Sequence, residues 1–473
     1  MPSVALHSPS LSGRAGWSLF LLAFAHLILA IDFTIVYIAL PEIGSQMGFS
    51  GHNLQWVIHG YTVAFGGFLL LGGRASDLLG RRRVFVAALV LFGVASLLGG
   101  FASHPTTMVL ARALQGIGAA FIFPSTLALI NSLFAEGSER VKALSVWSLF
   151  GSSGLALGSL LGGVLVSAFG WTSVFLVNVP LTILTAIGAM VTMPADKPRT
   201  GSRSFDAAGA ATVTIGVTLL VTALVEGPAL GWTSNLVLSA AGLSLLALIA
   251  FVLIESRGKA PLMPLTLLRS RNLQIAMVLT AIFMGTFMAM PYFETLLFQQ
   301  VFGYSPLTTG LAFLVPCLAQ AAGTQLGARM TQSLGMRRTV VSGFVIGAVG
   351  TAAIGFGIWP GLGYLAILPG LIIASIGQGI AWGPIWIAVA TGVEEHQQGV
   401  ASAIASTTFQ VGGAIGLALL VGVATSAATT TPASAEMIQV GTRLATYAAT
   451  IGITIGALLA MLLQSPATQG EQS

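Results

Sequence analysis

The stretch Gly72-Gly73-Arg74-Ala75-Ser76-Asp77-Leu78-Leu79-Gly80-Arg81-Arg82-Arg83 decides how the chain is read. Five charged residues fall within ten positions, in a chain that is only 7% charged, and long apolar runs lie on both sides. The pattern returns 255 residues later as Gly327-Ala328-Arg329-Met330-Thr331-Gln332-Ser333-Leu334-Gly335-Met336-Arg337-Arg338. Arg74, Gly80, Arg82 and Arg83 fall on Arg329, Gly335, Arg337 and Arg338, while Gln332 stands where Asp77 would be. A basic turn between apolar segments, present twice, predicts a duplicated helical architecture.

Composition sets the solvent. The 473 residues are 55% hydrophobic with a mean hydropathy of +0.92. Soluble domains carry about 25% charged residues; with 7% this chain cannot cover a water-facing surface. Backbone groups in hydrocarbon must be satisfied within a helix or a closed barrel. Strand-like alternation is absent, and apolar runs of spanning length recur. The predicted fold class is therefore an all-α integral membrane protein. The single Cys317 permits no intramolecular disulfide and no cysteine-based metal site, and reads as a small packed residue. There is no HExxH, GxxxxGK[ST] or GxSxG pattern and no Cys/His cluster. No enzyme activity, metal or cofactor is expected, and uphill transport would draw on an ion gradient.

Fourteen spans are predicted, joined mostly by short loops. With the N-terminus inside, 17 of the 19 Lys and Arg fall in inner segments; only Arg443 lies outside, and Arg112 lies within a span. That asymmetry predicts both termini on the cytoplasmic side of the cell membrane. It also assigns the net charge of +5 to topology rather than to nucleic acid. Residues 1–16 are too polar for a signal-peptide core, so no cleaved signal is expected. The first basic loop joins spans 2 and 3, and the second joins spans 10 and 11. The offset is eight where two six-helix halves alone would give six, so two extra helices separate the halves. The expected 6+2+6 plan has a tail (1–16), a six-helix bundle (17–193), two inserted helices with flanking loops (194–270), a second bundle (271–463) and a tail (464–473). Duplicated halves of this kind are the plan of a secondary transporter.

Further motifs lie in order along this plan. Asp32-Phe33-Thr34-Ile35-Val36 runs to Ala39-Leu40-Pro41 in span 1, and Arg112-Ala113-Leu114-Gln115-Gly116-Ile117-Gly118 opens span 4. Gly158-Ser159-Leu160-Leu161-Gly162-Gly163 lies in span 5, Phe175-Leu176-Val177-Asn178-Val179-Pro180 in span 6, and Gln299-Gln300-Val301-Phe302-Gly303-Tyr304-Ser305-Pro306 after span 9. In this order and topology the chain resembles the major facilitator superfamily, and within it the fourteen-helix drug:proton antiporters of multidrug efflux. The resemblance covers nearly the whole length. It implies a monomeric, proton-coupled exporter in the lipid bilayer that moves lipophilic or cationic small molecules by alternating access. Alternatives are an exporter dedicated to one endogenous metabolite, lipid or siderophore, or a proton-coupled importer.

The candidate proton-coupling residues are Asp32, Arg112 and Glu294. Asp32 lies nine residues before Pro41, about 13 Å below the expected outer end of span 1. An ionised carboxylate at such a depth must be paired, protonated or wetted. It is either a proton carrier, expected to face the cavity between the halves, or half of a static ion pair. Arg112, which keeps its charge, is its expected partner. Glu294 follows Pro291 near the outer end of span 9; the resemblance leads one to expect an apolar or small residue there. It reads as a cation or proton site, or as an interfacial residue reaching water. Glu226 and Asp206 read as interfacial.

The loop of Gly73, Arg74, Asp77, Gly80 and Arg81 reads as a conformational latch. Gly73 and Gly80 would permit close backbone approach, and Asp77 would set negative charge against a helix N-terminus. By resemblance the receiving helix is span 13, starting near Gly399. Gly154, Gly158, Gly162 and Gly163 form a helix-packing, antiporter-type face in span 5, with Ser159 where the family pattern has Pro. His26 and His59 are either relay groups or cross-helix donors. Phe33, Tyr61, Phe65, Gln115, Phe123, Phe287, Tyr292, Trp382 and Trp386 are candidate lining for a substrate cavity.

Overall fold

A computed structural model describes residues 13–49, 53–135, 137–196, 206–258, 267, 269–394, 397–426 and 435–464. Among them, thirteen helices are long and apolar enough to cross a membrane. Trp56–Leu79, with 24 residues, completes the series of fourteen. We number them α1 (Gly13–Met47), α2 (Trp56–Leu79), α3 (Arg81–Gly100), α4 (Pro105–Leu133), α5 (Ser138–Phe169), α6 (Ser173–Thr192), α7 (Ala207–Leu230) and α8 (Asn235–Arg257). The remainder are α9 (Arg271–Val301), α10 (Pro306–Leu334), α11 (Met336–Gly357), α12 (Tyr364–Ala390), α13 (Gln398–Thr425) and α14 (Ala435–Ala460).

The repeated basic loop owes its sequence to its backbone. Gly80 at φ 104° breaks α2 from α3, and Gly335 at φ 80° breaks α10 from α11. Both lie where a Cβ is strained. The repeat extends to packing. In the first six helices α2 and α3 lie on α4, α1 on α5, and α3 on α6; eight helices later α10 and α11 lie on α12, α9 on α13, and α11 on α14. Helices α7 and α8 have no counterpart. Helix α7 packs on α2 from one half and α13 from the other, and α8 packs on α7. This is the 6+2+6 architecture.

Several expected spans have different bounds, spans 1, 2, 9 and 14 most plainly. Span 2, read as 54–73, runs to Leu79, so of the basic loop only Gly80 lies outside a helix. Span 1, read as 17–40, continues through Pro41 to Met47, because neighbouring helices in a membrane protein satisfy the backbone that proline frees. Span 14, read as 443–463, begins at Ala435. Arg443 therefore lies inside that helix rather than in an outer loop, with its guanidinium 4.4 Å from the Trp359 ring centroid. Span 9, read as one helix over 273–297, is broken. An α-helix ends at Thr286, a second runs Met290–Leu296, and a π-turn follows at Leu297–Val301. Pro291 explains the break: it lacks an N–H and clashes with the carbonyl four residues back.

The two halves meet unevenly. At the end opposite the basic loops, here the far end, a single buried cluster crosses between them, with Ile35 and Ile38 of α1 beside Phe293 and Phe298 of α9 and Phe313 of α10. Hydrogen bonds cross there at three points among the described residues. Tyr37 Oη donates to Met288 O (3.4 Å), Gln299 Nε2 to Ile38 O (2.9 Å), and Leu307 N to Ser167 Oγ (3.0 Å). Towards the basic end two clusters are distinct: one around Phe85, Phe92 and Ile130 of the first half, the other around Phe283, Val340 and Ile385 of the second, which also takes in Val63 of α2 and valines of α7.

Candidate functional site

Two polar features interrupt the apolar interior. The first lies inside the N-terminal half. Arg112 Nη1 donates to Asp32 Oδ2 at 2.8 Å, with both side chains sealed from solvent. Arg112 Nε donates to Val57 O (2.9 Å), and its Nη1 also reaches Gln115 Oε1 (2.9 Å). Asp32 Oδ1 accepts from Gln115 Nε2 (3.1 Å) and Asn178 Nδ2 (2.8 Å), and Gln115 Nε2 also donates to Ser96 Oγ (2.8 Å). The guanidinium lies 4.4 Å from the Tyr61 ring centroid, a cation–π contact. Five helices thus hold one neutral unit. A buried pair persists when its donors and acceptors find partners; here both Asp32 oxygens and the Nε and Nη1 of Arg112 are bonded, while Asn178 Oδ1 is left without a partner among the described residues. With α1 extended to Met47, Asp32 lies about 22 Å from the far end of its helix. That is deeper than the sequence indicated. It faces this network and not the cavity between the halves.

The second feature is that cavity, of about 90 Å³, walled by α1, α5, α9, α10, α11 and α12. Its volume holds a few waters and falls below the roughly 300–1,000 Å³ of drug-sized sites. Glu294 lines it with Gln320, Ser375, Gln378 and Cys317, opposite Phe33, Tyr37 and Phe287. Glu294 is 6% exposed and makes no hydrogen bond or ion pair among the described residues. It is therefore not an interfacial residue: the Pro291 break turns the second segment of α9 so that the carboxyl lies in the gap. Cys317, read as a packed residue, lines the same cavity.

Of the aromatic candidates, Phe33 and Phe287 line this cavity. Tyr61 and Gln115 belong to the Asp32 network, and Tyr292 is buried against Phe293. Phe65 and Phe123 form a cluster with His26 and Trp147, nearer the basic end. Trp382 and Trp386 form another with Phe283 and Phe409. Apart from Phe65 on α2, the two clusters lie on symmetry-related helices, α1, α4 and α5 against α9, α12 and α13. His26 stacks on Trp147 with centroids 3.8 Å apart and its Nδ1 donates to Trp147 O (3.1 Å); His59 Nε2 bonds Gln55 Oε1 (3.1 Å).

In span 5 the glycines divide between two partners. A Cβ on Gly158 would stand 2.7 Å from Ile31 O, one on Gly154 3.0 Å from Leu27 O, and one on Gly162 3.2 Å from Ile35 O, so these three hold α5 against α1. Gly163 faces the other half, where a Cβ would stand 2.9 Å from Pro306 O of α10.

At the basic loop the expected geometry changes. A Cβ on Gly73 would have ordinary clearance, 3.7 Å from Pro124 Cβ; Gly72 is the tight position, where a Cβ would stand 2.9 Å from Phe121 Cα. The side chain of Asp77 and the surroundings of Gly399, at the expected receiving helix, lie outside what is described. Arg74 and Arg81 are half-buried. The carboxylate that meets a helix N-terminus here is Asp196, whose Oδ1 and Oδ2 accept from Arg82 N (3.2 Å) and Arg83 N (2.9 Å) of α3. A Cβ on Gly80 would fall 2.5 Å from Asp196 Oδ2. Nothing in the sequence singles out Asp196, nor the Ser76–Ser125 hydroxyl pair (2.7 Å) joining α2 to α4. Asp206 caps α7 by accepting from Gly209 N (2.7 Å), and Glu226 accepts from Trp56 Nε1 (2.9 Å).

Known proteins resemble this chain in sequence and in fold. The chain is 37% identical over 422 residues to the puromycin resistance protein pur8 of Streptomyces alboniger, covering 88% of this chain and 82% of that one. It is 36% identical over 437 residues to the cephamycin export protein CmcT of Amycolatopsis lactamdurans, covering 90% and 88%. A bacterial homologue of the human lysosomal transporter Spinster, solved inward-facing and unoccupied, superposes with a TM-score of 0.68 at 16% identity, covering 96% of this chain and 98% of that one. The model of the Major Facilitator Superfamily matches residues 22–417, and the chain belongs to that family.

Proposed function

We propose that the chain exports lipophilic or cationic small molecules from the cytoplasm or inner leaflet in exchange for protons, as a monomer with both termini cytoplasmic. The observation that carries this reading is Glu294. It is an acid with no partner among the described residues, in a cavity walled by both halves and lined otherwise by aromatic, aliphatic and uncharged polar groups. An isolated carboxyl in hydrocarbon is costly when ionised and unaccompanied. It is satisfied by a proton or by a cationic ligand, and these exclude each other. Mutual exclusion at one group is the chemistry of an exchanger. The names of the relatives, puromycin resistance and cephamycin export, support an antibiotic-like substrate and outward transport.

Within this reading Asp32 and Arg112 have a different task. Both Asp32 oxygens are engaged, so a proton reaching Asp32 would release Arg112 towards Gln115 and Val57 O and loosen α1 from α4. Proton arrival would then repack the N-terminal half. The loop of Gly73, Arg74, Asp77, Gly80 and Arg81 is proposed to close the basic end in the opposite state.

The test is ethidium transport in everted vesicles under an imposed proton gradient, with and without an uncoupler. Wild type should accumulate ethidium only while the gradient stands. Glu294→Gln should abolish accumulation of this cation. Unchanged, uncoupler-sensitive transport by Glu294→Gln would refute the assignment, and uncoupler-insensitive accumulation by wild type would refute proton coupling.

A further inference from the structure

The two seams between the halves are not equivalent. One joins α2 and α13, the other α5 and α10. Helix α7 lies across the first, packing on both of its members. It is fastened to α2 by polar contacts at two levels: Thr214 Oγ1 donates to Gly67 O (2.8 Å), and Glu226 accepts from Trp56 Nε1 (2.9 Å). A Cβ on Gly67 would stand 3.1 Å from Thr214 Cγ2. Towards α13 the contact is apolar, with Val213 and Val217 clustered with Ile404 and Ala405. Helix α8 backs α7, with Ser244 Oγ donating to Gly216 O (2.7 Å).

Among the described residues, nothing comparable covers the second seam. It is tight near the far end, where a Cβ on Gly310 would stand 2.6 Å from Ser159 O. Towards the basic end both helices turn exposed faces outward, Ser148 and Ser152 on α5, Ala321 and Gln325 on α10. The cavity of Glu294 takes wall residues from α5 and α10, Ser159, Cys317 and Gln320 among them, and none from α2, α7 or α13 among the described residues.

We infer that the α7–α8 pair is a fixed cover over the α2/α13 seam, carried by the N-terminal half and sliding on α13, and that amphipathic compounds dissolved in the bilayer reach the Glu294 cavity through the α5/α10 seam. This rests on the reading of the cavity as the transport site, and the chain supplies a probe that separates the two. Cys317 is its only cysteine, and it lines the cavity.

In wild-type proteoliposomes a bilayer-partitioned maleimide, N-(1-pyrenyl)maleimide, should label Cys317. Ser152→Trp and Ala321→Trp, each checked for a monodisperse elution profile, should slow that labelling about tenfold by obstructing the seam. Leu246→Trp, on an exposed face of α8, should leave it at the wild-type rate. Equal rates in all three would overturn the route, whether or not the protein exports ethidium. Loss of ethidium export with the labelling pattern intact would overturn the reading of function and leave the route standing. For the cover, an oxidised Gly67→Cys/Thr214→Cys pair should support ethidium efflux at the rate of its reduced form. Efflux that stops on oxidation and returns on reduction would show that α7 must leave α2, and would refute a cover carried by that half.

Discussion

Asp32 and Glu294 are both acids held within the membrane, and their surroundings give them opposite responses to neutralisation. Asp32 balances a guanidinium that has no route to solvent. Asp32→Asn leaves that charge uncompensated, and breaking a buried pair in this way costs about 3–5 kcal/mol. The expected outcome is a large fall in thermal stability in detergent, recovered in part by the double variant Asp32→Asn/Arg112→Gln. Glu294→Gln removes no partner, so its melting temperature should match wild type while ethidium efflux is lost. Equal stabilities for Asp32→Asn and Glu294→Gln would contradict the distinction. The pairing of Asp32 with Arg112 was legible in the sequence, because two opposite charges at matching depth in hydrocarbon leave each other few alternatives. Its further partner Asn178 was not, since an amide in an apolar run gives no sign of which face it occupies. Asp196 was harder still. It acts on backbone N–H groups 113 and 114 residues away, and no side-chain pattern encodes such a partner. Asp196→Ala should destabilise the start of α3 by about 1 kcal/mol, visible as faster hydrogen exchange at Arg82 to Phe85.

At the scale of elements, glycine carried most of what could be read. Gly80 and Gly335 mark turns that demand positive φ, and Gly154, Gly158 and Gly162 mark a helix face pressed to a neighbour's backbone. Both are requirements that only the absence of a Cβ satisfies, so the sequence records them. Gly158→Ala should push α5 from α1 and lower stability. Gly163→Ala should leave the N-terminal half intact but loosen the seal against α10, which limited proteolysis and efflux would separate. Proline was the weaker guide. Pro41 left α1 intact whereas Pro291 accompanies the break in α9, because the outcome depends on neighbours that the local sequence does not name. The break and the π-turn after it shift helical phase, so the direction of Glu294 could not be projected from an ideal helix. Pro291→Ala is expected to favour a continuous α9, swing Glu294 off the cavity and reduce ethidium efflux to the level of Glu294→Gln, with expression retained.

For the whole molecule, the eight-helix offset was visible because the basic loop is punctuated alike in both halves, and packing follows the same offset. How the halves stand relative to each other was not visible, since one sequence must serve every state of a transporter. The closed far end and the two distinct clusters towards the basic end describe one such state. Spin labels at Leu149→Cys and Leu326→Cys, towards the basic end and on a Cys317→Ser background, should approach each other when the far-end compartment is acidified in proteoliposomes. Labels at Ala168→Cys and Leu311→Cys, near the far end and both exposed, should separate. Movement of only one pair would mean that the halves do not rock as units.

Among the described residues, neutral hydrogen bonds cross the far end from Tyr37 to Met288, Gln299 to Ile38, and Leu307 to Ser167. No ion pair joins the halves there among the described residues. At about 1 kcal/mol net apiece, that polar closure is comparable to what one charge gains in falling through 100 mV, about 2.3 kcal/mol. A gate fastened by buried charges would outlast such a push and stall. Under the proposed proton exchange, the polar part of this closure is of the same order as the driving force that one proton supplies at an ordinary membrane potential.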